Sequence, residues 1–133
     1  MILKKEIMMK LFYVLLALLC FSNPVHSHEM VPTYPKFEPS FMDGLYKTTM
    51  TMFNKRSDVE YYEIGVFDDE WNPIPFVSKY KVYKIPYLST VTFDVYVQKA
   101  DGIRAEYVCS KSKIRVADVT RTAIKSRICS RVK

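Results

Sequence analysis

The stretch Thr90-Val91-Thr92-Phe93-Asp94-Val95-Tyr96-Val97-Gln98 puts Val91, Phe93, Val95 and Val97 on one side and Thr90, Thr92, Asp94, Tyr96 and Gln98 on the other. A period of two marks a strand with one face on a core and the other in water. Upstream, Tyr46 to Phe53 is rich in Thr, Met and aromatic residues, and Val59 to Phe67 aligns Tyr62, Ile64 and Val66; both read as strands. Tyr80 to Ile85 reads as a shorter strand stopped by Pro86. Downstream, Ile103 to Cys109 alternates again, and Thr122 to Val132 aligns Ile124, Ile128 and Val132. Residues 28–133 carry no helical stripe beyond one turn at Lys113 to Val119. Six or seven short strands separated by turn signals predict an all-β, two-sheet sandwich.

The join between Val97 and Ile103 admits three readings. A two-residue turn at Asp101-Gly102 would set Val97 opposite the carboxylate of Glu106. A three-residue loop over Ala100 to Gly102 would instead match Val97 to Ala105, Val95 to Tyr107 and Phe93 to Cys109. In the third reading the chain crosses between the sheets here. The order Tyr107-Val108-Cys109 favours crossing, since immunoglobulin-like sandwiches place a Tyr two residues before a core Cys at such a corner.

The chain has 133 residues, 49% of them apolar, with 20 basic and 14 acidic side chains. Lys4, Lys5 and Lys10 precede an uncharged run from Leu11 to Phe21, which Ser22, Asn23 and Pro24 break. This is the pattern of a signal peptide, with Val25-His26-Ser27 as the cleavage site and Met9 as a second natural start. The run is too short for a stable membrane span. Leu19 is too large for the position before a lipid-modified cysteine, so Cys20 reads as apolar filler. Residues 1–27 are thus expected to leave, and 28–133 to form one domain of 106 residues in the periplasm or outside the cell. Its 16 aromatic residues argue against disorder.

With Cys20 removed, Cys109 and Cys129 form an even pair in an exported chain, which reads as a structural disulfide. Closing a loop of that length is worth roughly 3 kcal/mol in the chain-entropy account. Only His26 and His28 are present, so neither a Ser/His/Asp arrangement nor a histidine metal site is expected, and no cofactor is called for. His28 beside a new terminal amine offers adventitious metal binding only. Asp68-Asp69-Glu70 reads as the acidity of a turn, Trp71 as a ring closing the end of the sandwich, and Met30 to Pro39 as an extended lead strand.

Charge is unevenly spread. Residues 28–98 hold 7 basic and 10 acidic side chains, whereas 99–133 hold 10 basic and 3 acidic. On the last strand Lys125, Arg127, Cys129 and Arg131 share one face and Ile124, Ser126, Ile128 and Ser130 the other. With Lys111 and Lys113 these cations make a candidate basic binding face for an acidic partner, and the pattern suits an edge strand. Nucleic acid is a poor partner for an exported protein.

Three segments carry a family resemblance: Thr48 to Asn54; Tyr61-Tyr62-Glu63-Ile64-Gly65-Val66-Phe67-Asp68 with Asn72-Pro73-Ile74-Pro75-Phe76; and Lys84-Ile85-Pro86 before the strand at Val91 to Val97. Together they resemble the N-terminal domain of periplasmic pilus-assembly chaperones. The resemblance implies an immunoglobulin-like domain that binds other β proteins by strand addition. Such chaperones carry a second sandwich domain, for which 28–133 leaves no room, and anchor a terminal carboxylate with an Arg on the first strand and a Lys near the last. Residues 28–43 contain no Arg, with Lys36 the only Lys, while Lys111 and Lys113 lie where the second cation would be sought.

Two functional readings follow. The first is a non-enzymatic exported binding or assembly module that holds an envelope or secreted protein through a sandwich edge or its basic last strand. The second is a small secreted hydrolase or effector acting on the envelope. The absence of a catalytic constellation favours the first.

Overall fold

The structure, a computed structural model, describes residues 1–21, 27–114 and 124–133. Helix α1 (Ile2–Cys20) buries none of its residues. No helix among the described residues is long and apolar enough to cross a membrane. The expected cleavage residues before Ser27, the helical turn after Lys113 and the start of the strand expected from Thr122 fall largely outside the described residues.

Among the described residues eight strands and one short helix follow: β1 (Glu29–Val31), β2 (Glu38–Pro39), β3 (Leu45–Phe53), β4 (Tyr61–Phe67), β5 (Val82–Lys84), β6 (Thr90–Gln98), α2 (Lys99–Arg104), β7 (Tyr107–Lys113) and β8 (Arg127–Arg131). They form two antiparallel sheets. In sheet A, β3 pairs with β6 on one side and with β1 and β2 on the other; sheet B has the order β5-β4-β7-β8. The alternation read from Thr90 to Gln98 is realised residue for residue, with Phe93, Val95 and Val97 buried. Their partners across the ladder, Met50, Thr48 and Tyr46, lie on the same face, so Phe93 meets Met50 and Val97 meets Tyr46 in register, with the buried Thr48 opposite Val95. Tyr62, Ile64, Val66 and Val108 face them from sheet B. Each such fully buried side chain contributes about 1.5–3 kcal/mol.

The chain crosses between the sheets after β6, as Tyr107-Val108-Cys109 favours, but neither expected loop makes the join. Residues 99–104 are helical, so the strand expected from Ile103 starts at Tyr107. The Asp101 carboxylate accepts from Arg104 at 2.9 Å, one turn apart, with the acid early and the base late in the helix. Gly102 serves close packing rather than a tight turn: a Cβ there would lie 3.2 Å from the Tyr46 ring.

On each side of the sandwich a stretch of chain changes sheets and covers part of an edge. After β1 the chain leaves β3, and Thr33 and Pro35 accept the main-chain N–H of Arg131 and Lys133 at 3.1 and 3.0 Å, a short parallel pairing with the β8 side of sheet B. It returns to β3 as β2, so Met30 to Pro39 is the extended lead expected. On the opposite side Val77 exchanges hydrogen bonds with Tyr96 of β6 before the chain enters β5.

Candidate functional site

Among the described strands β8 is an edge of sheet B, and of the cations read from the sequence it carries Arg127 and Arg131, while Lys111 and Lys113 lie on the neighbouring β7. The Val132 N–H bonds to Glu106 C=O and the Ser126 C=O accepts from Ser112, so even-numbered residues of this segment direct their main-chain groups to β7. In an antiparallel ladder the odd ones then point outward. Thr33 and Pro35 take the outward amides of Arg131 and Lys133. Among the described residues nothing takes those of Arg127 and Cys129, so this part of the edge is open.

The side chains alternate as read: Ile128 packs against the core and Ser130 is buried, while Arg127 and Arg131 are exposed on the outer face. Cys109 and Cys129 are bonded directly across the β7–β8 ladder on that face. Lys111 and Lys113 of β7 approach Glu63 at 4.0 and 3.2 Å, and Arg131 donates to Glu106 at 2.9 Å, which holds its guanidinium further toward the charged form. Arg127 lies 4.9 Å from the ring centres of both Phe67 and Trp71. Lys125 is exposed, with no ion pair among the described residues. Lys111, Lys113, Arg127 and Arg131 are therefore brought to one face, each with a local partner, and Lys125 lies just before β8.

That face carries an aromatic cover the sequence reading missed. Trp71 does not close the end of the core. It stacks on Tyr107, centroids 4.2 Å apart and planes 3° from parallel, on the outside of sheet B. The seat exists because Gly65, opposite Cys109 in the ladder, lacks a side chain, so the Phe67 ring lies over it. Asp68 supports the turn by accepting from the N–H groups of Asn72 and Glu70, contacts that with nearby Arg104 hold its carboxyl below the usual range. This is the turn acidity expected of Asp68 to Glu70. Trp71 itself takes a left-handed backbone, φ 65°.

His28 is not a stray metal ligand, because its ring is buried. Its Nε2 lies 2.7 Å from Ser110 Oγ and its Nδ1 3.2 Å from Ser126 Oγ, with Tyr62 packed against it at 4.4 Å. Burial pushes its pKa down to about 4; hydrogen bonding with the Ser110 main chain opposes this and the charge of Arg56 reinforces it. Arg56 donates to both oxygens of Asp58, to Ser126 and to Ile124 C=O, so it ties the β3–β4 loop to the segment leading into β8. Asn54 is the hub of this end. It accepts from Tyr62 Oη at 2.6 Å and Arg56 N–H at 2.9 Å, and donates to Val59 and Ile85 C=O. Burial raises the Tyr62 phenol to about 12. No cluster of His, Cys, Asp and Glu suited to a metal ion occurs among the described residues.

No protein-family model and no curated protein matches the chain. Solved structures do. A chain of the complex of the Salmonella enterica SafA pilin with the SafB chaperone matches with a TM-score of 0.60 and 11% identity over 84% of this chain and 55% of that one. The E. coli chaperone DraB matches with a TM-score of 0.57 and 12% identity over 80% and 53%. The fold is therefore that of an immunoglobulin-like pilus-chaperone domain, as the resemblance implied. The chain spans about half the length of the solved chains it matches.

Proposed function

We propose that residues 28–133 act, after removal of residues 1–27 during export, as a non-enzymatic binding or assembly module in the periplasm or outside the cell. The module holds another β protein by strand addition to β8. The observation that carries this reading is the open main chain of Arg127 and Cys129 on an edge strand. Unpaired edge groups offer a partner strand ready-made hydrogen bonds, and neighbouring side chains then select among partners. Lys125 supplies uncompensated positive charge for an acidic partner. The likeness to chaperone folds, one of them solved with a pilin, supports the same mode, and the Cys109–Cys129 bond fits an oxidising compartment.

The test removes one outward donor. Arg127→Pro deletes an N–H that points away from β7 and so leaves the β7–β8 ladder intact. A photo-crosslinking residue in place of the exposed Ile124, which leaves Lys125 intact, is expected to trap one protein partner in stoichiometric yield in the exported chain, and Arg127→Pro to abolish the product. An equal product from a crosslinker at Thr49, on the outer face of sheet A, would sink the reading, as would turnover of wall or lipid by the purified chain without any partner.

A further inference from the structure

The opposite side of the sandwich holds a second open edge, and it lies in a groove. Val77 and Tyr96 exchange both main-chain hydrogen bonds at 2.8 Å, so the even-numbered residues of β6 face away from β3. Val77 is the only described residue that pairs there, because the chain then moves to sheet B. The outward main-chain groups of Thr92 and Asp94 have no partner among the described residues. Across the gap runs β5, whose Val82 and Lys84 are exposed.

Between the two edges lie adjoining depressions of about 270 and 420 Å³, both lined by Lys79, Tyr83 and Thr92. At the base of the first the rings of Tyr83 and Phe93 pack with centroids 4.8 Å apart, and Val82 and Val91 add apolar surface to the second. Lys79, Lys81 and Lys84 are exposed, and none has an acidic partner among the described residues. Asp94, a carboxylate of the lining, accepts from Thr49 Oγ1 at 2.6 Å.

We propose that this groove binds an extended, acidic segment of a partner protein, added as a strand to β6 beyond Val77. Main-chain bonds to Thr92 and Asp94 give it register; alternate apolar side chains cover the Tyr83–Phe93 floor, and carboxylates at its ends meet the three lysines. The charge of the rim, not the apolar floor alone, selects this occupant over a second copy of the chain. The site is on the far side from β8 and does not depend on strand addition there.

A fluorescent heptapeptide, Glu-Val-Thr-Val-Thr-Val-Glu, and its counterpart with Lys at both ends test this against the full chain. The acidic peptide is expected to bind about tenfold or more tighter than the basic one, about 1.4 kcal/mol, and to slow hydrogen exchange at the amides of Thr92 and Asp94. Lys79→Glu with Lys84→Glu should reverse the preference, Thr92→Pro should weaken binding, and Arg127→Pro should leave it unchanged. Exchange in the unaltered chain decides the matter should Thr92→Pro fail to fold. No binding, equal affinity for the two peptides, or protection at Arg127 and Cys129 in place of Thr92 and Asp94 overturns the proposal. So does protection of Thr92 and Asp94 by self-association without peptide, which makes a second copy the occupant.

Discussion

His28 and Ser110, 82 residues apart in the chain, meet side chain to side chain at 2.7 Å inside the sandwich. The contact joins the residue before β1 to the middle of β7, and the burial of the imidazole there makes folding depend on pH. The unfolded chain takes up a proton on this imidazole near 6.5, the folded chain only near 4. Between those values the unfolded state binds more protons, so stability is complete above about 6.5 and falls as the pH drops toward 4. The loss amounts to about 3 kcal/mol. Denaturation midpoints measured across this range for the wild type and for His28→Gln should converge at low pH; parallel curves would contradict the assignment.

Asn54 satisfies four hydrogen bonds with no exposed surface. Asn54→Ala removes the partner of a phenol, a main-chain N–H and two carbonyls and should cost about 3 kcal/mol or more. Tyr62→Phe in the same background removes one orphaned group, so the double variant is expected to lose less than the sum of the two single ones. Strict additivity in urea titrations would show the bond to be energetically idle.

Gly65 lets the Phe67 ring lie flat: an added Cβ would sit 2.7 Å from it. Gly65→Ala must lift a ring that lies beside Trp71 and under Arg127, at a cost of about 1 kcal/mol. Because the chain has a single Trp, its fluorescence reads the aromatic cover directly. A changed emission maximum together with a lower melting temperature is expected, and unchanged emission would refute the coupling.

Cys109 and Cys129 close a loop whose sequence separation is 20. Replacing both by Ser should lower stability by roughly 3 kcal/mol and raise hydrogen exchange first at β8, the edge strand that the bond ties down. Loss spread evenly over both sheets would contradict that placement.

The period-two runs made β4 and β6 legible in the sequence, because one face of each is more deeply buried than the other, and β3 was legible from its Thr, Met and aromatic content. The cysteine pair and the facing of β8 followed from compartment and parity. Helix α2 was not legible: six residues are too few for a stripe, and Asp101-Gly102 imitates a hairpin turn. The polar end around Asn54 depends on residues far apart in the chain, and only Tyr62, a phenol within a core row, hinted that a buried partner was needed. The cations at 111, 113, 127 and 131 were found by sequence. Their neutralising partners were not, since Glu63, Glu106 and the rings of Phe67 and Trp71 reach them across strands. The open edge of β6 was hidden for a related reason: it exists because residue 77 pairs with sheet A and residues 82–84 with sheet B.

The parallel pairing of Thr33 and Pro35 with Arg131 and Lys133 has a mechanical consequence. Tension applied between Ser27 and Lys133 pulls these two segments in opposite directions along their length. The hydrogen bonds are therefore loaded together in shear instead of opening one after another, and this pairing resists stretching between residues 27 and 133 better than bonds that open in sequence would.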